Sequence, residues 1–184
     1  MSNRMIIVTG YFGAPIEETA RKLATDKGLD YISLDEEITK RDGRSIKRLV
    51  MMNGEHGYRN QEYEVLQELC GDAVEAGAAT EAPSETKTDS AATTAPTDTA
   101  AGLVIACGDG VLYDDDSREI ALGQELVIAG EDMTTEELWE NAKAAEDSYH
   151  AFMAFGTEDE KRAAFEELIR RQKILFDSIG GTTA

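Results

Sequence analysis

The sequence predicts an α/β fold of three layers, α/β/α, in which helices cover both faces of a central parallel sheet. Three observations carry this. The candidate strands "MIIVTG" (residues 5–10), "GLVIACG" (102–108) and "ELVIAG" (125–130) are apolar almost throughout instead of alternating, as strands buried on both faces are. Strand and helix patterns follow one another as βαβα, and parallel strands require such crossovers. The last two helices open on capping boxes, Thr134 with Glu137 and Thr157 with Glu160, in which hydroxyl and carboxylate satisfy the first free amides.

The elements follow in order. The strand at 5–10 runs into a glycine turn holding Gly10 and Gly13, and then into a helix over residues 17–27 with Pro15 ahead of it and Glu17 and Glu18 in its first turn. "YISL" (31–34) reads as a short strand; "EEITKRDG" (36–43), "SIKRLVMMNG" (45–54) and "NQEYEVLQELCGDAVEAG" (60–77) read as helices. Residues 77–101 contain no apolar residue larger than alanine and two of the three prolines, so they cannot offset their ordering entropy and are expected as a flexible insertion. The reading is therefore one domain over residues 1–184, interrupted at 77–101.

Composition restricts the partners. The 184 residues carry 18 Lys and Arg against 37 Asp and Glu, a formal net charge of −19 that disfavours nucleic acid. The acid is uneven: residues 1–76 hold 10 basic and 14 acidic side chains, and the remainder 8 and 23. No window approaches the ~20 apolar residues of a membrane span, and the N-terminal apolar run is too short for a signal peptide, so a cytoplasmic protein is expected. Cys70 and Cys107 form no CxxC pair and read as small buried hydrophobes.

The turn after the first strand has the outline of a phosphate-binding loop without its chemistry. GxxxxGK[ST] turns its amides inward, places lysine on the phosphates and gives a hydroxyl to Mg²⁺. Here Gly10 and Gly13 stand, but Pro15 replaces the second motif glycine, Ile16 the lysine and Glu17 the hydroxyl. Proline removes an amide, and Glu17 and Glu18 supply the helix N-terminus with the protein's own anion. A carboxylate about 5 Å from a phosphate charge, at an effective dielectric of ~20, costs roughly 3 kcal/mol, so conventional ATP binding is not expected.

With these residues on the page, the chain resembles the shikimate kinases. "GYFGAPIEETARKLA" in register with their phosphate loop, "YISLDEEITKRDGRSIKRLVMMNGEHGYRNQE" against a strand ending in DxD and a later GExxFR, and "GLVIACGDG" follow in the family's order. The resemblance implies P-loop kinase topology, ATP and Mg²⁺ as cofactors, and shikimate as the substrate phosphorylated in aromatic amino-acid biosynthesis. It implies that Asp35 and Arg59 hold the substrate's hydroxyls and carboxylate. It also implies that Gly108 and Gly110 line that pocket, the middle glycine of their turn being Asp109. The first aspartate of DxD, near the metal in the family, is Ser33.

Further departures lie downstream. Where the family has an arginine-rich lid, residues 109–147 carry 13 acids against Arg118 and Lys143. The family's late substrate arginine falls in register with Gln172, with Arg170, Arg171 and Lys173 as neighbouring substitutes.

The expectation is thus a shikimate kinase-like protein impaired in ATP-dependent phosphoryl transfer, without metal or cofactor, that keeps part of a hydroxylated-carboxylate pocket and serves as a metabolite-binding or regulatory relative. An active divergent kinase is the alternative, with Asp35 as its catalytic group and ATP and Mg²⁺ as cofactors; an interaction module for a protein partner is a weaker one. Plainer readings stand beside these. Asp35 suits an N-cap, Arg59 a salt bridge to Glu55 or Glu62, and Gly108 and Gly110 a positive-φ turn. "DDDSRE" (114–119) reads as a solvated acidic turn, His56 and His150 as isolated histidines, and Trp139 with "YHAFMAF" (149–155) as core or docking face.

Overall fold

The computed structural model describes residues 4–76, 102–145 and 150–180. The insertion expected at 77–101 and Tyr149 lie outside the described residues.

Four strands form one parallel sheet: β1 (Arg4–Gly10), β2 (Asp30–Ser33), β3 (Gly102–Ala106) and β4 (Glu125–Ala129), in the order β2-β3-β1-β4. β1 sits between β3 and β4, pairing Ile7 with Ile105 and Val8 with Val127. Its apolar run is explained by this position, since Met5 and Ile7 point to one core and Ile6 and Val8 to the other.

The smaller core lies under α1 (Ile16–Lys27), where Ala20 and Ala24 let the helix settle closely on Ile6, Val8, Val104 and Ala129. α1 stops at Gly28, whose left-handed φ of 65° returns its amide to Ala24 and Thr25. The larger core gathers Leu34 and Ile38 of α2 (Leu34–Asp42), Leu49, Tyr58 and Leu66 of α3 (Ile46–Ala76), and Phe165 and Phe176 near the chain's end. α3 joins the expected "SIKRLVMMNG" and "NQEYEVLQEL" helices into one element bent at Gly54, where φ 72° and ψ 169° leave the helical region.

After β3 the structure departs from expectation. Residues Val111–Tyr113 form a 3₁₀ turn, and "DDDSRE" opens a helix, α4 (Asp115–Leu122). Asp114 is its N-cap, accepting from the Ser117 amide at 2.8 Å, so these carboxylates complement a helix dipole. The capping box of α5 (Thr135–Ala144) is present, and Thr157 and Glu160 exchange the same bonds at the start of α7 (Glu158–Gly180). Between them lies the single turn α6 (Ala151–Ala154). Trp139 is core, tilted against Phe165 with ring centroids 5.1 Å apart. Of the "YHAFMAF" run, Phe152 packs on Phe12, whereas Phe155 is 77% exposed. No helix among the described residues is long and apolar enough to cross a membrane.

Candidate ligand-binding site

A parallel sheet brings the C-terminal ends of its strands to one edge, and the loops there form the cleft of open α/β folds. A cavity of about 620 Å³ opens at that edge, walled by the turn after β1, the start of α2 and the turn after β3. The charged residues among its described lining are Glu17, Glu18, Asp35 and Asp109; neither lysine nor arginine is among them.

The turn after β1 spends four amides on the protein. Tyr11 N–H donates to Ala129 O (3.2 Å), Phe12 N–H to Gln172 Oε1 (3.0 Å), Ala14 N–H to Tyr11 O (2.9 Å) and Ile16 N–H to Ala14 O (2.9 Å), while Pro15 has none to give. The two expected loop glycines serve packing: a side chain at Gly10 would collide with the Ala129 carbonyl, and one at Gly13 (φ 91°) with that of Leu138. Glu17 reaches across to β2, where Ser33 Oγ donates to its Oε1 at 2.6 Å. A carboxylate and a hydroxyl therefore meet at the junction of loop and strand.

Asp35 lies in the first turn of α2; the N-cap is Ser33, which accepts from Glu36 N–H at 3.3 Å. Asp35 instead lines the cavity and meets the Tyr58 hydroxyl at 2.5 Å, and Tyr58 lies 2.9 Å from Glu62 Oε1. One hydroxyl proton serves only one of these carboxyls, so the second contact draws on a carboxyl proton. Burial raises Asp35 above the usual carboxylate range; the Tyr58 hydrogen bond opposes this, and Asp109 and Glu17 add to the rise. Burial pushes Glu62 up to about 7 against the pull of Arg59.

Arg59 is buried and bonded to Glu62, with Glu55 at 3.4 Å, so both salt bridges read from the sequence are made. Its guanidinium lies against Gly110, where any side chain would strike it. Gly110 has φ −110°, so close approach, and not a positive φ, is what requires glycine there. Gly108 lines the cavity, and its carbonyl accepts from Thr9 Oγ1 at 2.8 Å.

Sequence reasoning missed the group that closes this end. Asp109, 7% exposed, is gripped by Gln172, whose Nε2 donates to Asp109 O (3.1 Å) and Oδ2 (2.9 Å), and lies 3.0 Å from His150 Nε2. His150 also packs its ring on Phe12, at a centroid distance of 4.3 Å, so it is no isolated histidine. His56 is exposed on α3. Gln172 is fully buried, and through Phe12 N–H it ties the β1 turn to the β3 turn. Arg170 and Arg171 are exposed and paired with Glu167, and Lys173 with Asp177; none of the three lines the cavity. The signals available were local ones: Asp109 interrupting two glycines, and Tyr58 standing where GExxFR has phenylalanine.

Cys70 and Cys107 are free and buried, and burial raises both thiols, Cys70 to about 11, so neither is poised for thiolate chemistry. No group of three or more metal-ligating side chains occurs among the described residues.

Comparison with known proteins shows what the chain is similar to. Residues 17–80 match the family model described as shikimate kinase. A shikimate kinase of Chlorobium limicola is 36% identical over 67 residues, 36% of this chain and 34% of its own length. One of Bacillus cytotoxicus is 35% identical over 66 residues, 36% of this chain and 40% of that protein. The chain thus matches well under two thirds of these relatives' length. Among solved structures, a shikimate kinase from Acinetobacter baumannii in complex with shikimate has a TM-score of 0.67 at 20% identity, covering 97% of this chain and 80% of that one. That of Aquifex aeolicus gives 0.63 at 18%, covering 95% and 82%. At such identities the structural likeness establishes the fold.

Proposed function

We propose, for a chain that is a relative of the shikimate kinases and shares their P-loop kinase fold, that it is a non-catalytic member: it has lost ATP-dependent phosphoryl transfer and keeps the hydroxyl-binding part of the substrate cleft around Asp35 for a small hydroxylated metabolite. The observation that carries this is the turn after β1. Four of its amides are bonded within the protein, and Glu17 supplies the negative charge at the N-terminus of α1. ATP and Mg²⁺, which the kinship implies, do not fit these donors. Phosphoryl transfer depends on positioning and on cationic stabilisation, and the described cavity wall offers four carboxylates.

Asp35 and Gly108 line the metabolite end in this reading, with Asp35 facing the ligand, whereas Arg59 and Gly110 lie outside the cavity lining and Arg59 fixes the Gly110 turn from behind. Thermal unfolding with Mg·ATP and with shikimate, each alone, tests it. A shift with the hydroxylated ring and none with nucleotide supports the reading; a shift with Mg·ATP overturns it.

One observation favours a divergent kinase as a second reading. Glu17 and Ser33 touch, so the carboxylate and hydroxyl of a metal-binding pair remain side by side with their elements exchanged. The same Mg·ATP measurement decides between the two.

A further inference from the structure

The three most exposed large apolar side chains of the described residues are Met51 (79%), Phe155 (77%) and Met52 (61%), and they fall in two places. Met51 and Met52 lie on the first part of α3, one helical turn beyond the exposed Lys47 and Arg48, so an i, i+4 spacing sets each methionine beside a cation. Phe155 follows α6, and the first turn of α7 just after it carries Glu158 and Asp159, also exposed. One apolar patch is therefore edged with positive charge and the other with negative.

These charges are uncommitted within the chain. Every other arginine of the described residues enters an ion pair, whereas Arg48 enters none, and among those residues neither do Lys47, Glu158 and Asp159. Glu158 acts on Lys143 only as a field, since that ammonium is bonded to Glu140 at 2.7 Å. The basic patch also belongs to a stretch, residues 40–48, that sets Lys40, Arg41, Arg44, Lys47 and Arg48 against Asp42 alone in a chain of net charge −19. Single exposed apolar side chains are ordinary on a protein surface; two patches of complementary charge, each with an apolar centre, are a matched pair. Methionine adapts its shape to an aromatic ring, and methionine, arginine and phenylalanine are enriched where proteins meet.

We infer that this chain self-associates through these patches: the Lys47, Arg48, Met51 and Met52 face of α3 receives Phe155 of a second copy, whose Glu158 and Asp159 stand opposite the two cations. A second copy is favoured over another acidic protein because the complementary charge and the aromatic anchor are both on this chain. Within one chain the patches leave each other exposed. A two-fold dimer makes the contact twice.

Sedimentation velocity of the full chain at near-physiological salt tests this, over a range reaching about 200 µM, where a small interface populates a dimer. The unmodified protein should sediment faster as its concentration rises. Phe155→Ser, the pair Lys47→Glu with Arg48→Glu, and the pair Glu158→Lys with Asp159→Lys should each weaken association at least about tenfold. The last pair brings the net charge closer to zero, so its loss of association is not general repulsion. Mixing the two charge-reversed proteins should restore the dimer that neither forms alone, because the reversed face of each then meets its complement. A monomer at all concentrations, association untouched by these changes, or a mixture that stays monomeric overturns the inference. All the altered side chains are exposed, and should the α7 variant fold poorly, Phe155→Ser decides for that patch.

Discussion

Replacing Gln172 by leucine should cost this protein a large share of its stability, although the change is a single buried polar side chain of similar size. Gln172 accepts from Phe12 N–H at 3.0 Å and donates to Asp109 O at 3.1 Å and to Asp109 Oδ2 at 2.9 Å. An intramolecular hydrogen bond contributes about 1 kcal/mol net, and one to a carboxylate roughly twice that. Leucine also strands the buried amide and carboxylate it no longer meets, so the total is about 4 kcal/mol against a whole-domain stability of ~5–15 kcal/mol. With a urea m value near 2 kcal/mol/M, the unfolding midpoint should fall by about 2 M at unchanged m. Gln172→Glu should cost still more at neutral pH, because it sets a carboxylate against Asp109, and should recover part of the loss on acidification. A midpoint shift of the leucine variant below about 0.3 M, the size of a surface substitution, would refute the view that Gln172 ties the β1 and β3 turns together.

Two further outcomes follow from single residues. Gly13→Ala should lower stability by several kcal/mol, since φ is 91° and the added methyl meets the Leu138 carbonyl, whereas Gly28→Ala, at φ 65° in open space, should cost only about 1 kcal/mol; comparable losses in urea unfolding would contradict this. Glu62 should make stability fall with rising pH: burial raises it to about 7 in the folded protein from its ordinary value of 4.5. The native state therefore keeps a proton that the unfolded chain has released across that window, a stabilisation complete below it and lost above. Asp35, also raised, has the same sign. Glu62→Gln should flatten the profile between these pH values, and an unchanged slope in pH-dependent unfolding would show that the titration lies elsewhere.

Most of the fold was legible because its signals are local. Apolar runs marked β1, β3 and β4, and the Thr134 and Thr157 boxes marked the starts of α5 and α7. α4 escaped because Asp114, Asp115 and Asp116 look like a solvated turn until one of them is seen capping the Ser117 amide. Strand order was illegible, being set by contacts between segments far apart in the chain.

The candidate site divides in the same way. Pro15, Ile16 and Glu17 could be read against a contiguous motif, and Asp35 and Arg59 against two short ones. The Asp109 clamp could not: Gln172 is 63 residues from Asp109 and 160 from Phe12, and no periodicity links them. The register that set Gln172 against a substrate arginine located the position without its role, which is to hold the protein's own carboxylate.

The most direct test of the central claim is phosphoryl transfer itself. Purified, unmodified protein, shown free of host kinase, is incubated with Mg·ATP and shikimate while ADP formation is followed. The account predicts no ADP above the blank, because four amides of the β1 turn are bonded within the protein and the cavity wall presents Glu17, Glu18, Asp35 and Asp109 to the nucleotide. Shikimate-dependent ADP formation that rises with protein concentration would contradict it and establish the divergent kinase in its place.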